Sequence, residues 1–390
     1  MLLMATCNST NHEKKIKVGI DTRDLRISKT GALTYLEELC KQFRKNDPDF
    51  IFIFIDTLIP VYTGKNKFGK LLEHIRFFLW KQFQLPVIAF VRSCDIVFCT
   101  DYFVPYFHPG CVTVPVFHDA FFWEYPEQYN PYWLFLFRVF GVGAAKRAAC
   151  IITPTLYAKK QIVAFSGLPA NSIIPVYEAP KTLSGPAKKN NGVADQVAPE
   201  LSFPYILHVG TFEKRKNLSV LINAFGELIK NDHNKLKLIL IGQSSPKKTI
   251  DDSEHLFELI KQKKLENHVI MPGYISDEML PYYYQHALLY VFPSRNEGFG
   301  IPVLEAFSYR LPVLISNNSC LPEIAGDAAI SFDPDNAGDL CNQINRLLNN
   351  QELRQALAEK GIQRLQFFSW EKAAAELKDI FRRSLSTKEL

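Results

Sequence analysis

Phe292-Pro293-Ser294-Arg295-Asn296-Glu297-Gly298-Phe299-Gly300-Ile301-Pro302-Val303-Leu304-Glu305-Ala306 is the stretch on which the fold turns. An apolar strand ends at Phe292, and Pro302, a favoured first-turn residue, predicts a helix starting beside it. Gly298 and Gly300 let the backbone bend sharply and bring its N–H groups close to a ligand. A helix start behind such a loop attracts phosphate. Glu297 and Glu305 flank the turn, and a carboxylate suits a sugar or ribose because it accepts from two adjacent hydroxyls. The plainer alternative is a strand–loop–helix connection with one solvated and one capping glutamate.

A second stretch of the same kind is Val209-Gly210-Thr211-Phe212-Glu213-Lys214-Arg215-Lys216-Asn217, again between a strand and an amphipathic helix. Three cations at a helix start oppose its dipole unless an anion is brought in, and a diphosphate would be one. Read alone, it is equally an exposed basic turn. His118-Asp119 follows the strand Val112–Phe117, where the imidazole could donate to a hydroxyl or steady a charge, with Asp119 orienting it or capping the next segment. Gly31 marks a loop-to-helix junction after the first strand.

Working outward, short apolar runs alternate with helical segments along the whole chain. The expected strands are Lys17–Ile20, Phe50–Ile55, Asp95–Cys99, Val112–Phe117, Cys150–Thr153 and Ile173–Tyr177, then Tyr205–Val209, Lys237–Ile241, Val269–Met271, Leu288–Phe292, Val313–Ser316 and Ala328–Phe332. Their lack of polar alternation marks strands covered on both faces. The rhythm is that of a doubly wound α/β architecture, and it occurs twice. The polar stretch Leu183–Pro204 separates the runs. The division expected is residues 1–184, a linker 185–203, a second domain 204–369, and a terminal helix 370–390. Two such halves imply a cleft at the carboxyl ends of their sheets.

Composition narrows the field. The chain has 390 residues, 47% apolar and 22% charged, with a net charge of +5. That balance excludes a disordered or fibrous chain and is too mild for a nucleic-acid binder. The excess is uneven: +6 over residues 1–200 and −1 over the rest. Lys65 to Arg92 interleaves Lys65, Lys67, Lys70, Arg76, Lys81 and Arg92 with aromatics. This suits either an anionic membrane surface or a core helix with one solvated side. Eight cysteines without a Cys-x-x-Cys pair read as buried thiols of a reducing compartment. Met1 to Glu13 lacks the apolar core of a signal peptide, and no window reaches a membrane span's roughly 18 uncharged apolar residues. Asp47-Pro48-Asp49 and Asp333-Pro334-Asp335 look like turns, not metal sites. The expectation is a cytoplasmic protein, at most peripheral at the inner face of the membrane.

The combination resembles the retaining glycosyltransferases of family 4, which have the GT-B fold, from about Lys15 to Leu385. It is carried by Gly210-Thr211-Phe212-Glu213-Lys214-Arg215-Lys216-Asn217, the Glu297-x7-Glu305 block, Leu321-Pro322-Glu323-Ile324-Ala325-Gly326-Asp327-Ala328-Ala329, and Phe368-Ser369-Trp370-Glu371. The resemblance implies that Glu297 holds donor-sugar hydroxyls, with the amides of Gly298, Phe299, Gly300 and Ile301 against sugar and diphosphate. Glu305 would hold the ribose. Arg215 and Lys216 would neutralise the leaving diphosphate beside Gly210 and Thr211. His118 would touch the sugar near its 6-position, and Gly31 would sit near the phosphates. This chain has Ala32 where many relatives have a second Gly, Thr211 where many have Arg, and Glu178-Ala179 where relatives often read Asn-Gly; no role is assigned to that last pair.

The resemblance also implies retention by front-face attack, with no essential metal and no cofactor. It points to surface-polysaccharide mannosyltransferases, hence GDP-mannose as donor and a glycan or polyprenyl-diphosphate-linked glycan as acceptor. A UDP-sugar-dependent enzyme, a nucleotide-sugar epimerase and a non-catalytic nucleotide-sugar binder remain alternatives. Nucleic acid is not an expected partner.

Overall fold

The computed structural model describes residues 14–27, 31–57, 59–62, 64, 66–183, 201–230 and 233–386. The leader reading at Met1–Glu13, most of the linker 185–203, and Lys65 lie outside the described residues. By compactness the chain divides into two units, one of Met1–Val116, Phe137–Ile151 and Leu377–Leu390, the other of Phe117–Leu136 and Ile152–Glu376.

Each expected strand forms, within a few residues. They are β1 (Ile16–Asp21), β2 (Phe50–Ile55), β3 (Ile96–Cys99), β4 (Val112–Pro115), β5 (Ile151–Thr153), β6 (Ile173–Pro175), β7 (Tyr205–Val209), β8 (Lys237–Ile241), β9 (Val269–Gly273), β10 (Leu289–Phe292), β11 (Val313–Ser316) and β12 (Ala329–Phe332). The first unit holds a parallel sheet of order β2-β1-β3-β4. Its covering includes the helix Gly31–Phe43 and the distal part of the terminal helix Trp370–Ser386, whose Phe381 packs against Phe43 and Phe98. Phe381 is fully buried, a burial worth roughly 1.5–3 kcal/mol against exposure.

One feature of this unit departs from the sequence reading. The helix Lys67–Leu79 passes through a wide π turn, Trp80–Gln84, into the helix Leu85–Val91. Trp80 and Lys81 are turned inward and buried there, so Lys81 does not belong to the outward basic set in which the sequence placed it. Its Nζ lies 2.6 Å from Asp21 and 2.5 Å from Asp101. An apolar environment tolerates a lysine only with such partners.

The second unit holds a six-stranded parallel sheet of order β12-β11-β10-β7-β8-β9. The chain lays strands outward from β7 to β9, then returns to the other side of β7 with β10 and continues to β12. The order therefore reverses between β7 and β10. In a parallel sheet the carboxyl ends of neighbouring strands emerge on one side, and the crevice outside a reversal is where ligands bind. Both stretches singled out in the sequence follow these two strands. β5 and β6 pair in a separate ladder.

Candidate active site

The loop after β7 closes as a 3-10 turn, Lys214–Lys216, and Asn217 then takes a left-handed backbone with φ 55°. Asparagine tolerates that conformation better than most residues. Its side-chain amide donates to Pro334 O at 2.8 Å, and the helix Leu218–Lys230 follows. The loop after β10 lies alongside, joined by Arg295 N–H donating to Arg215 O at 2.8 Å. Gly300, with φ 104°, opens the helix Ile301–Ser308.

The juxtaposition brings Arg215, Lys216 and Glu297 together. Arg215 Nη1 donates to Glu297 Oε2 at 2.8 Å, and Lys216 Nζ to Glu297 Oε1 at 2.7 Å. Arg215 is braced further by Nε to Glu213 Oε2 at 3.0 Å and by Asn296 O at 3.2 Å. Its guanidinium lies 5.3 Å from the Phe121 ring centroid. Burial alone would push the Glu297 carboxyl up, but Arg215 and Lys216 outweigh it and hold it at about 2. Burial lowers the Lys216 ammonium, with Glu297 opposing. Lys214 is not part of this group: its Nζ turns outward to Thr249 O at 3.1 Å. The crowd of three cations expected from sequence is a pair.

Gly298 packs against the His118 backbone so closely that a Cβ there would lie 2.3 Å from His118 O. Any side chain would force the two segments apart, so this approach requires the glycine. His118 Nδ1 is 3.5 Å from Glu178 Oε1. Asp119 accepts from Phe121 N–H at 2.9 Å and so caps the following helical turn. Glu305 lies one turn into the helix Ile301–Ser308 and is not bonded to the cations. Tyr284 O–H donates to its Oε2 at 2.8 Å, and burial raises the carboxyl to about 7 despite that bond. Tyr290 on β10 feels both Glu305 and Glu297. Phe299 and Ile301 are buried beside the bend, and Gly210 and Thr211 are half-buried at the end of β7. Gly31 is in the first unit, where it opens the helix Gly31–Phe43. Among the described residues no group of three or more His, Cys, Asp or Glu is arranged to hold a metal ion.

Residues 194–364 match the family model described as glycosyl transferases group 1. The chain is 28% identical over 264 residues to O-antigen chain mannosyltransferase B of Escherichia coli, covering 67% of this chain and 68% of that one. It is 24% identical over 234 residues to the serotype-specific mannosyltransferase WbdA of Escherichia coli, of which it spans only 28%. Among solved structures it is similar to sucrose-phosphate synthase from Thermosynechococcus elongatus, with a TM-score of 0.69 at 19% identity, covering 96% of this chain and all of that one. The second half of the chain thus matches the group 1 glycosyltransferase model, and the fold is of the GT-B type.

Several residues of this site were not singled out in the sequence. Asn296 donates through Nδ2 to Glu124 Oε2 at 2.7 Å and to the Tyr125 hydroxyl at 3.2 Å. Glu213 braces Arg215, and Lys247 Nζ lies 4.5 Å from the Tyr129 ring centroid. Glu178, left without a role, faces His118. Glu213 had a signal, since it sits two residues before Arg215. Glu124 and Glu178 had none: Glu124 lies 172 residues from Asn296, and Glu178 meets His118 only through the fold.

Proposed function

We propose that the chain is a retaining hexosyltransferase of family 4 that moves mannose from GDP-mannose onto a glycan carried by a polyprenyl-diphosphate lipid, in surface-polysaccharide assembly. The observation that carries it is the clasp of one carboxylate by two cations at the strand-order reversal of the second sheet. Breaking a sugar–diphosphate bond builds negative charge on the leaving phosphate, which fixed cations and loop amides stabilise without reorganising. The bonds described engage Nε and Nη1 of Arg215, leaving Nη2 as a donor for an anionic oxygen. Glu297, ionised throughout the physiological range, is an acceptor ready for sugar hydroxyls. Its two cations fix the carboxylate's orientation.

His118 and the Gly298, Phe299 and Gly300 amides then stand against the sugar, and Glu305 against the ribose. With no carboxylate nucleophile assigned, retention proceeds by front-face attack, the departing phosphate accepting the acceptor's proton. No metal is required, because the cation pair supplies the charge. Mannose is favoured by the names of the curated relatives. The basic, aromatic-rich first half favours a lipid-borne acceptor met at the cytoplasmic membrane face.

The test is transfer from GDP-mannose to a mannosyl acceptor in excess EDTA, with the product anomer read by proton NMR. The α-anomer at undiminished rate is expected. A β-linked product overturns retention, and loss of activity in EDTA overturns metal independence. Transfer from a UDP-sugar but not from GDP-mannose overturns the donor.

A further inference from the structure

The helical run from Lys67 to Val91 sends two kinds of residue in opposite directions. Trp80, Lys81, Leu85 and Ala89 are buried, whereas Phe68, Leu72, Ile75, Leu79, Phe83 and Val87, spaced by three or four residues, are exposed. Phe68 is 73% exposed, Phe83 59% and Phe90 61%. The loop beside the run extends this surface. Gln82 donates to Val104 O at 3.3 Å and accepts from Tyr106 N–H at 2.9 Å, and Gly110 lies against Phe90. That loop carries Phe107, 74% exposed. Soluble monomers rarely leave so long an apolar strip uncovered.

The charges around it all point one way. Between Phe68 and Arg92 the one acid is Glu73, and it is turned inward to pair with Arg23. Residues 102–111 and 137–150 contain no Asp or Glu, while Arg92, Arg138, Lys146 and Arg147 are exposed. Two contacts tie these to the strip: Arg147 sits 4.6 Å from the Tyr106 ring centroid, and Phe140 packs on Phe78 at 5.0 Å.

We propose that this face of the first unit docks on an anionic lipid bilayer, with the run lying in the interface plane. A helix face with aromatic and aliphatic tips and a basic rim fits a headgroup layer. A second copy would bring one basic rim against another. No described helix is long and apolar enough to cross a membrane, so the contact is interfacial. The inference rests on the lipid-borne acceptor reading for its purpose, not for its chemistry.

The test is co-sedimentation of the full chain with vesicles of phosphatidylcholine alone and with about one-third phosphatidylglycerol, without nucleotide or acceptor. Binding to the anionic vesicles should be at least tenfold tighter and weaken as salt rises. Two doubly substituted variants, Phe83→Ser with Phe90→Ser and Arg92→Glu with Lys146→Glu, should each lose about tenfold. Both should keep the wild-type thermal shift with GDP-mannose, which excludes loss of fold. Absence of wild-type vesicle binding overturns the inference, as does unchanged binding in both variants. So does a dimer in sedimentation velocity that Phe83→Ser with Phe90→Ser abolishes while vesicles are ignored. Docking without any GDP-mannose shift would instead overturn the donor reading and leave the docking face standing.

Discussion

Both sheets carry a cluster of buried charges at the place where their strand order reverses, and the two clusters are built in opposite proportion. In the first unit Asp21 ends β1 and Asp101 follows β3, and one ammonium, Lys81, serves both, with Trp80 Nε1 3.1 Å from the Asp21 oxygens. Burial and the neighbouring acids push Asp101 up to about 7 against the pull of Lys81. In the second unit two cations serve Glu297, and it falls to about 2. Glu305, whose hydrogen-bond donor is a tyrosine, rises to about 7. The number of cations per carboxylate, rather than burial, decides which acid stays ionised. It also assigns the crevices different work. The first is filled from within by Trp80 and Lys81. The second holds cations whose remaining donors can meet an anion.

The largest effect should come from unbalancing the filled crevice. Lys81→Met leaves two buried carboxylates sharing nothing, and urea unfolding should show a loss of about 3–5 kcal/mol at neutral pH with GDP-mannose affinity unchanged. A loss below about 1 kcal/mol would mean that Lys81 does not hold that cluster. Next is pH. Glu305 has a folded value of about 7 against an ordinary 4.5, so the folded chain keeps a proton that the unfolded chain has released between those values. The associated stability is complete below about 4.5 and lost as pH rises towards 7, about 3 kcal/mol in all. Glu305→Gln should flatten that slope in unfolding curves taken across the window.

Glu297→Ala should lower transfer by about a hundredfold or more, with circular dichroism showing the fold retained. Full turnover by that variant would remove Glu297 from the reaction. The smallest difference separates neighbours: Arg215→Lys should cost about tenfold in kcat/KM, since a lysine cannot reach Glu213, Asn296 and Glu297 at once. Lys214→Ala should cost little, within about 0.5 kcal/mol.

Most strands could be read because they are short, largely apolar runs that a parallel sheet buries, although the edge strands β2, β9 and β12 are only partly covered, and the glycines because the bends they permit sit at strand ends. The adjacency of the Arg215 and Glu297 loops followed from strand order, which local pattern does not encode. Lys81 misled because a basic residue among aromatics has the same spacing whether it faces water or two carboxylates. Lys214 misled similarly: three consecutive cations occupy three directions of one 3-10 turn, and only two point at the acid. Asp333-Pro334-Asp335 read correctly as a turn, with Asp335 N–H donating to Asp333 at 2.9 Å.

The π turn at Trp80–Gln84 fixes a phase relation along the whole run. Each residue of a helix advances about 100°. Deleting a single residue from the α-helical stretch on either side of the turn would swing the two stretches against each other by that angle, so that Leu85 and Ala89 could no longer face the sheet together with Trp80. Length in the flanking helices is thus under tighter constraint than composition: sequence drift along the strip can be absorbed so long as the count of residues on each side of the turn is kept.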